Sequence, residues 1–428
     1  MSTYILFFLF LIFIALITTN GKNSKIIYVR KLLLPIISVL FILSLIYFSK
    51  TAVNAAQRGI SLWLNVVFPS LFPFFVASEL LNKSGFVRAV GILLEPVMRP
   101  LFSVPGCGSF AFAMGITSGY PVGAKITSSL MEEKLVNKTE AERLLAFTNN
   151  SGPLFIVGAV GVGMFNSSRI GIFLLICHII ACITVGMLFR YHGKNNKEKL
   201  FHRNENIFKR FMFELKNARP SGSMSSLFGD AIKNSISLVL AIGGFIIFFS
   251  VVINLLLQTG FIEMVADVGA MILSPLAVDK KIIASVASGF FEITTGTNLV
   301  SKIAEVPLIY KLTAASGIIG WAGISVHFQV ASIMNNSGIS MKPYLLGKCL
   351  QGVLAALYTY TFIRISDSFS INLIYKTSPA FSTFYSNPNW SGCFSYSLAY
   401  LGIAIGTLLL TGLSLSLFQY GKRKRKGF

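Results

Sequence analysis

The chain has 428 residues, of which 54% are hydrophobic and only 12% are charged, and its mean hydropathy is +0.70. A soluble domain carries about twice that charged fraction, and the long unbroken apolar runs do not alternate as the strands of a membrane β-barrel do. The net charge of +21 lies in linkers between apolar runs. The positive-inside rule explains it without nucleic-acid binding, so composition predicts an all-α polytopic membrane protein.

The first half of the chain contains several predicted spans and a long basic linker. Prolines 69 and 73 are expected to kink the third span. A proline- and arginine-interrupted stretch at 86–104 is typical of an interfacial helix, and the mixed charges of 131–145 indicate an amphipathic helix outside the membrane core. The predicted spans are 4–19, 32–48, 60–81, 145–165 and 170–189, with a glycine-rich stretch at 107–130.

The second half follows the same layout after the basic linker 190–233, which should be cytoplasmic. The predicted spans are 235–257, 312–333, 344–364 and 396–418, with a polar-interrupted helix at 261–278 and a glycine-rich stretch at 282–300. The resulting division is an anchor and basic loop (1–31), a first half (32–189), the linker (190–233), a second half (234–365), an external loop (366–395), and a last helix with a basic cytoplasmic tail (396–428).

The two halves also align weakly with each other. SELLNKSGFVRAVGILLEPVMRPLF (78–102) matches VINLLLQTGFIEMVADVGAMILSPLA (252–277) in order and spacing, and a glycine-rich stretch follows each segment. With 21–31 and 190–233 both inside, four spans join them, so 107–130 must enter and leave on one side. The same count makes 282–300 a hairpin that enters from outside. This predicts two inverted repeats, each with a re-entrant helical hairpin, as in secondary transporters. The alternative is two glycine-rich helices that cross and pack.

Four segments carry a family resemblance: LWLNVVFPSLFPFFVASELL, LLEPVMRPLF, VPGCGSFAFAMGITSGYPVGAKI and EAERLLAFTNNSGPLFIVGAVGVG. Over residues 32–365 the chain resembles the YlbJ/SpoVV family of sporulation integral membrane proteins. The resemblance implies two gate (nucleoside-recognition) domains and a design similar to concentrative nucleoside transporters. It also implies that dipicolinic acid is moved out of the mother cell across the outer forespore membrane.

Dipicolinate is a flat aromatic dianion, so its site needs hydrogen-bond donors, positive potential and an apolar slot. The N-termini of half-helices at hairpin tips supply the first two. The tip candidates are Ser118, Gly119, Tyr120 and Gly123 in the first hairpin, and Thr294, Thr295, Gly296, Thr297 and Asn298 in the second.

Two charged residues lie within these glycine-rich stretches. Lys125 would cost about 2.5–3.5 kcal/mol at the bilayer centre, so it either contacts substrate or extends to the cytoplasmic surface. Glu292 either binds a coupling ion, pairs with Lys125, or is held by a structural donor.

Polar interruptions in two apolar helices supply the remaining candidates. TNNSGP (148–153) and GWAGISVHFQ (320–329) predict unwound helices whose backbone faces a ligand, with interhelical hydrogen bonding as the alternative. The candidates are Asn149, Asn150, Ser151, Ser325 and Gln329, whereas His178 and His327 fit a packing role.

The expected function is transport of a small anion. A membrane scaffold for spore-envelope assembly and a nucleoside transporter are the alternatives. Five cysteines without CxxC spacing, and the lack of HExxH, GxSxG and P-loop sequences, predict no enzyme, metal site or cofactor. The expected partners are the anionic substrate and membrane lipid. The coupling ion and a homo-oligomeric state are left open.

Overall fold

A computed structural model describes residues 24–84, 86–193, 209, 211–213, 216, 224–276, 278–335 and 337–368. The predicted spans at 4–19 and 396–418, most of the linker and nearly all of the external loop lie outside these residues. All regular secondary structure in the described part is helical, as the composition predicted.

The first half begins with long helices and continues with short, broken ones. Its elements are α1 (Ser24–Tyr47), α2 (Ser49–Leu62), a π-helical turn (Trp63–Val67), α3 (Phe68–Lys83), α4 (Phe86–Phe102), α5 (Gly108–Ser118), α6 (Val122–Glu132), α7 (Lys138–Thr148), a π-helical segment (Leu154–Met164) and α8 (Ser168–Phe189).

The second half has the same order of a hairpin, a broken helix and a long helix. Its elements are α9 (Met224–Gln258), α10 (Phe261–Ile272), a 3-10 turn (Ser274–Leu276), α11 (Lys280–Phe291), α12 (Ile293–Ser301), α13 (Leu308–Trp321), α14 (Ile324–Met334) and α15 (Met341–Ser368).

Within the described residues, three helices are long and apolar enough to cross a membrane. They are α8 with 22 residues, α9 with 35, and Leu308–Met334 with 27; a bent pair, Pro35–Tyr47 and Ser49–Asn65 at 99°, would make four. The predicted spans 60–81, 145–165 and 344–364 are not among them. The second is unwound at 149–153, and the third buries Lys348 and Gln351. The inverted orientation, which depends on counting crossings, therefore stays a prediction.

The charged segment at 131–145 differs from its prediction as one amphipathic helix. Helix α6 ends at Glu132, and α7 begins after a capping box in which Asn137 accepts from the Glu140 N–H. Arg143 is buried and donates to the backbone oxygens of Ser103 (2.6 Å) and His192 (2.9 Å). The charges of this segment therefore lie partly inside the protein. The long helix α9 also starts at Met224, ten residues inside the predicted linker's end.

Two helical hairpins lie at the glycine-rich stretches. Hairpin 1 is residues 108–132 and breaks at 119–121; hairpin 2 is residues 280–301 and breaks at Glu292. A Cβ on Gly115 would lie 3.4 Å from the Cα of Gly123, and a Cβ on Gly296 would overlap the Cα of Gly289. Residues seven or eight apart in a straight helix are separated by roughly 10–12 Å. The chain therefore folds back on itself at both places.

Each hairpin break rests against a second break in the helix that follows it. Break 1 is residues 149–153, between α7 and the π-helical segment; break 2 is residues 322–323, between α13 and α14. A Cβ on Gly119 would lie 2.8 Å from the Gly152 nitrogen, and one on Gly323 would lie 3.2 Å from the Ile293 nitrogen. The helix breaks thus occur where the glycine patterns predicted them, and they meet in pairs.

Two hydrophobic clusters join the halves. The larger one packs Phe102 and Phe147 of the first half in the same core as Val330 of the second. The smaller one holds Ile293 of hairpin 2, and Tyr120 of hairpin 1 packs against it. The two hairpin breaks therefore share one apolar cluster.

Candidate functional site

A completely buried lysine lies beside break 1. Lys348 is 0% exposed, and its Nζ donates to Gln351 Oε1 (2.8 Å) and to the backbone oxygen of Asn149 (3.1 Å). Tyr120 approaches from hairpin 1, with its Oη at 3.5 Å and its ring centroid at 5.2 Å from Nζ. Among the described residues no carboxylate forms an ion pair with this lysine. The groups around its Nζ are therefore neutral oxygens and an aromatic face, which suit an ammonium.

The oxygen that Lys348 contacts belongs to an unwound helix end. Helix α7 stops at Thr148, and Asn149 has extended backbone angles (φ −90°, ψ 95°). The last carbonyls of a helix have no partner within the helix and carry the negative end of its dipole. A buried ammonium is a suitable partner for that end.

Two further chains of hydrogen bonds connect this site to neighbouring helices. Asn149 Nδ2 donates to Tyr344 Oη (3.2 Å), which lies 3.0 Å from His327 Nδ1. Gln351 Nε2 donates to Asn150 Oδ1 (2.8 Å) and lies 3.3 Å from His178 Nε2. The network thus links break 1 with α8, α14 and α15.

Several buried polar atoms around break 1 have no hydrogen-bond partner among the described residues. They are Ser118 Oγ, Asn149 Oδ1, His178 Nδ1 and His327 Nε2. Buried polar groups are almost always paired, and exceptions gather at functional sites. Break 1 therefore has unused hydrogen-bonding capacity.

Lys125 lies in a different place, on the wall of a cavity of about 370 Å³ between α6, α9 and α14. Ser128, Gln329 and Phe245 line the same cavity, as does Glu132. Ser128 Oγ donates to Glu132 Oε1 (3.0 Å), so the hydroxyl proton of Ser128 is already used. Lys125 and Gln329 are the two predicted site residues that line this space.

Glu292 caps its own helix in hairpin 2. Its carboxylate accepts from the backbone N–H groups of Thr294 (2.9 Å) and Thr295 (2.6 Å) and from the Thr295 hydroxyl (2.8 Å). An anion at a helix N-terminus is favoured by the helix dipole. The structural donors that the sequence left unnamed are therefore Thr294 and Thr295.

The remaining predicted residues fall into two groups. The first group lies in hairpin 1 or break 1 and consists of Ser118, Gly119, Tyr120, Gly123, Asn150 and Ser151. In the second half, Thr297 is buried and donates to the Ile293 backbone oxygen (2.8 Å), Ser325 is buried next to break 2, and Asn298 is half-buried in α12. The structure therefore separates the predicted set into break 1, the Lys125 cavity and hairpin 2.

The sequence reasoning missed Tyr344, Lys348 and Gln351. Their spacing of four and three residues places all three on one face of α15. A lysine within an apolar helix is the signal that singled out Lys125, and Lys348 carries it too.

Comparison with known proteins places this chain in a family. The family model described as Gate: nucleoside recognition matches residues 64–190. The sporulation integral membrane protein YlbJ of Bacillus subtilis (strain 168) is 43% identical over 312 residues, which cover 71% of this chain and 76% of the relative. The chain belongs to the YlbJ family. No solved structure matches it.

The Gate match of this YlbJ-family protein includes hairpin 1, break 1 and Lys125. Lys348, its partner Gln351, and Tyr344, which bonds Asn149, come from residues beyond the matched range. The buried ammonium therefore reaches the Gate region from another part of the chain.

Proposed function

We propose that this YlbJ-family protein transports a small organic anion, dipicolinate, out of the mother cell across the outer forespore membrane. The observation that carries the proposal is the pairing of a hairpin break with a helix break in each half. In transporters, substrates bind where discontinuous helices meet, and inverted repeats rock about that site. Two inverted halves built in this way would allow alternating access without an enzymatic step.

The cavity beside hairpin 1 combines groups that suit an aromatic dicarboxylate. Lys125 supplies positive charge, Gln329 supplies hydrogen bonds and Phe245 supplies an apolar wall, while the carboxylate of Glu132 in the same lining is bonded to Ser128. Its volume of about 370 Å³ falls in the usual range of small-molecule sites, about 300–1,000 Å³. The proposed path therefore runs along α6 towards break 1.

Flux of labelled dipicolinate into proteoliposomes tests this function. We expect uptake by the wild-type protein to exceed that of empty vesicles. Lys125→Gln should reduce uptake at least about tenfold, because a charge-assisted contact contributes roughly 1.5–3 kcal/mol. Lys138→Gln is the matched control, since Lys138 is exposed at the start of α7. Correctly inserted protein that gives no flux would exclude the proposal.

A nucleoside is the second candidate substrate, because the matching family model is described as nucleoside recognition. Labelled uridine in the same vesicles separates the two, because a nucleoside has no carboxylate for Lys125 to bind. Uridine flux that is insensitive to Lys125→Gln, without dipicolinate flux, would favour the nucleoside. A scaffold role predicts flux of neither compound.

A further inference from the structure

The surroundings of Lys348 are those of a bound monovalent cation. Its ammonium contacts a backbone carbonyl at a helix break, a side-chain amide oxygen and an aromatic face. Unwound carbonyls and half-helix C-termini are the groups that hold Na⁺ or H⁺ in membrane transporters with discontinuous helices. In this chain a lysine side chain occupies that position.

Two ordinary roles of a lysine, a surface charge and an ion pair, are not found for Lys348 among the described residues. Lys348 is completely buried, so its ammonium does not reach a surface. Neither an ion pair nor a group of three or more His, Cys, Asp or Glu residues lies there. Charged side chains buried in membrane proteins are rare and are usually retained for function.

Break 1 also contains an oxygen that is available to a further ligand. Asn149 Oδ1 is buried without a partner, next to the backbone oxygen that Lys348 contacts. Removing the lysine side chain would leave oxygens of Asn149, Gln351 and Tyr120 around the vacated space. Neutral oxygens at broken helices are ligands for Na⁺ in membrane transporters.

We propose that the Lys348 ammonium is a built-in substitute for a bound monovalent cation at break 1, so that the protein keeps hairpin 1 seated on this break without sodium. The proposal extends the transport function by excluding sodium as the ion that organises this site. It rests on the geometry of break 1 and not on the identity of the transported anion.

Thermal unfolding of the purified full-length protein in detergent tests the proposal, with NaCl compared against choline chloride at equal ionic strength. The wild-type midpoint should be the same in both salts. Lys348→Ala should unfold at a lower temperature in choline, and sodium should raise its midpoint by about 4 °C, as binding to the folded state does. Lys342→Ala, an exposed lysine on the same helix, should respond to neither change.

Two outcomes would overturn the proposal. One is a sodium-specific rise in the wild-type midpoint; the other is a Lys348→Ala protein that sodium does not stabilise. If Lys348→Ala fails to accumulate, Lys348→Arg replaces it, because it keeps the charge and should unfold at the same temperature in both salts. A sodium response of the arginine variant would equally contradict the proposal. The readout needs no substrate, so a failed dipicolinate assay would not affect it.

Discussion

Both halves contain a glycine-rich hairpin beside a broken helix, but a charge of opposite sign lies at a helix end in each half. The Lys348 ammonium faces the C-terminal end of α7 at break 1, whereas the Glu292 carboxylate caps the N-terminal end of α12 in hairpin 2. Each charge is opposite in sign to the end of the helix dipole that it meets. In both halves, a charged side chain therefore lies at the end of a helix whose dipole there has the opposite sign.

The two broken helices differ in how their last backbone oxygens are satisfied. In α13 the chain closes on itself, because Ala322 takes a left-handed conformation and its N–H donates to the Ile318 oxygen (3.0 Å). Helix α7 ends instead in the extended Asn149, so the backbone oxygen there is available to Lys348. The lysine of α15 therefore contacts the helix end that its own backbone does not close.

The hairpin glycines should be the most sensitive positions in both halves, although Gly115 packs on the end of α7 and Gly296 on the other arm of its own hairpin. A Cβ on Gly115 would overlap the Thr148 oxygen, and one on Gly296 would overlap the Gly289 backbone. Because neither obstacle is a flexible side chain, we expect Gly115→Ala and Gly296→Ala each to lower the free energy of unfolding by about 3 kcal/mol. Thermal unfolding in detergent measures the loss.

Gly244→Ala is the control for both variants, because nothing lies within 4 Å of a Cβ at that position in α9. It should leave stability unchanged or raise it by up to about 1 kcal/mol through helix propensity. If one hairpin tolerated its alanine as well as α9 does, the equivalence of the two hairpins would be wrong.

The charge at hairpin 2 should contribute less than the glycine contact. Glu292→Ala removes the cap of α12, and we expect a loss of about 1–2 kcal/mol. Glu263→Ala, which alters an exposed glutamate in the first turn of α10, should cost less than about 0.5 kcal/mol. Comparing the unfolding midpoints of the two variants separates the loss of a helix cap from the loss of a surface charge.

Transport by Glu292→Gln separates capping from a direct role in flux. The amide keeps one acceptor oxygen for the N–H groups of Thr294 and Thr295. We therefore expect flux within about twofold of wild type, a difference of roughly 0.4 kcal/mol. A tenfold loss of flux in a stable Glu292→Gln protein would instead give Glu292 the coupling role that the sequence left open.

The helix breaks could be predicted from sequence because glycine and proline mark them locally, as Gly119, Gly152 and Gly323 do. The cap of α12 is similarly local, since Glu292 and its donors are neighbours. The site at break 1 could not be predicted in this way. Its central contact joins Asn149 to Lys348, which are 199 residues apart, and only the packing of α15 on α7 brings them together.

The smallest effect is expected at the base of hairpin 2, where Lys281 Nζ lies 2.7 Å from Glu305 Oε2. The hydrogen bond from Lys281 lowers the pKa of Glu305 below its usual value. The stabilisation from this ionised carboxylate is therefore present above the unfolded-state pKa and is lost as the pH falls through the folded-state pKa.

Both side chains are exposed, so Lys281→Gln should lower the unfolding midpoint by less than about 1 °C at neutral pH, and high salt should remove the difference. Lys302→Gln, at an exposed lysine just beyond α12, is the control. A larger or salt-insensitive effect of Lys281→Gln would mean that this pair stabilises hairpin 2 more than an exposed ion pair does.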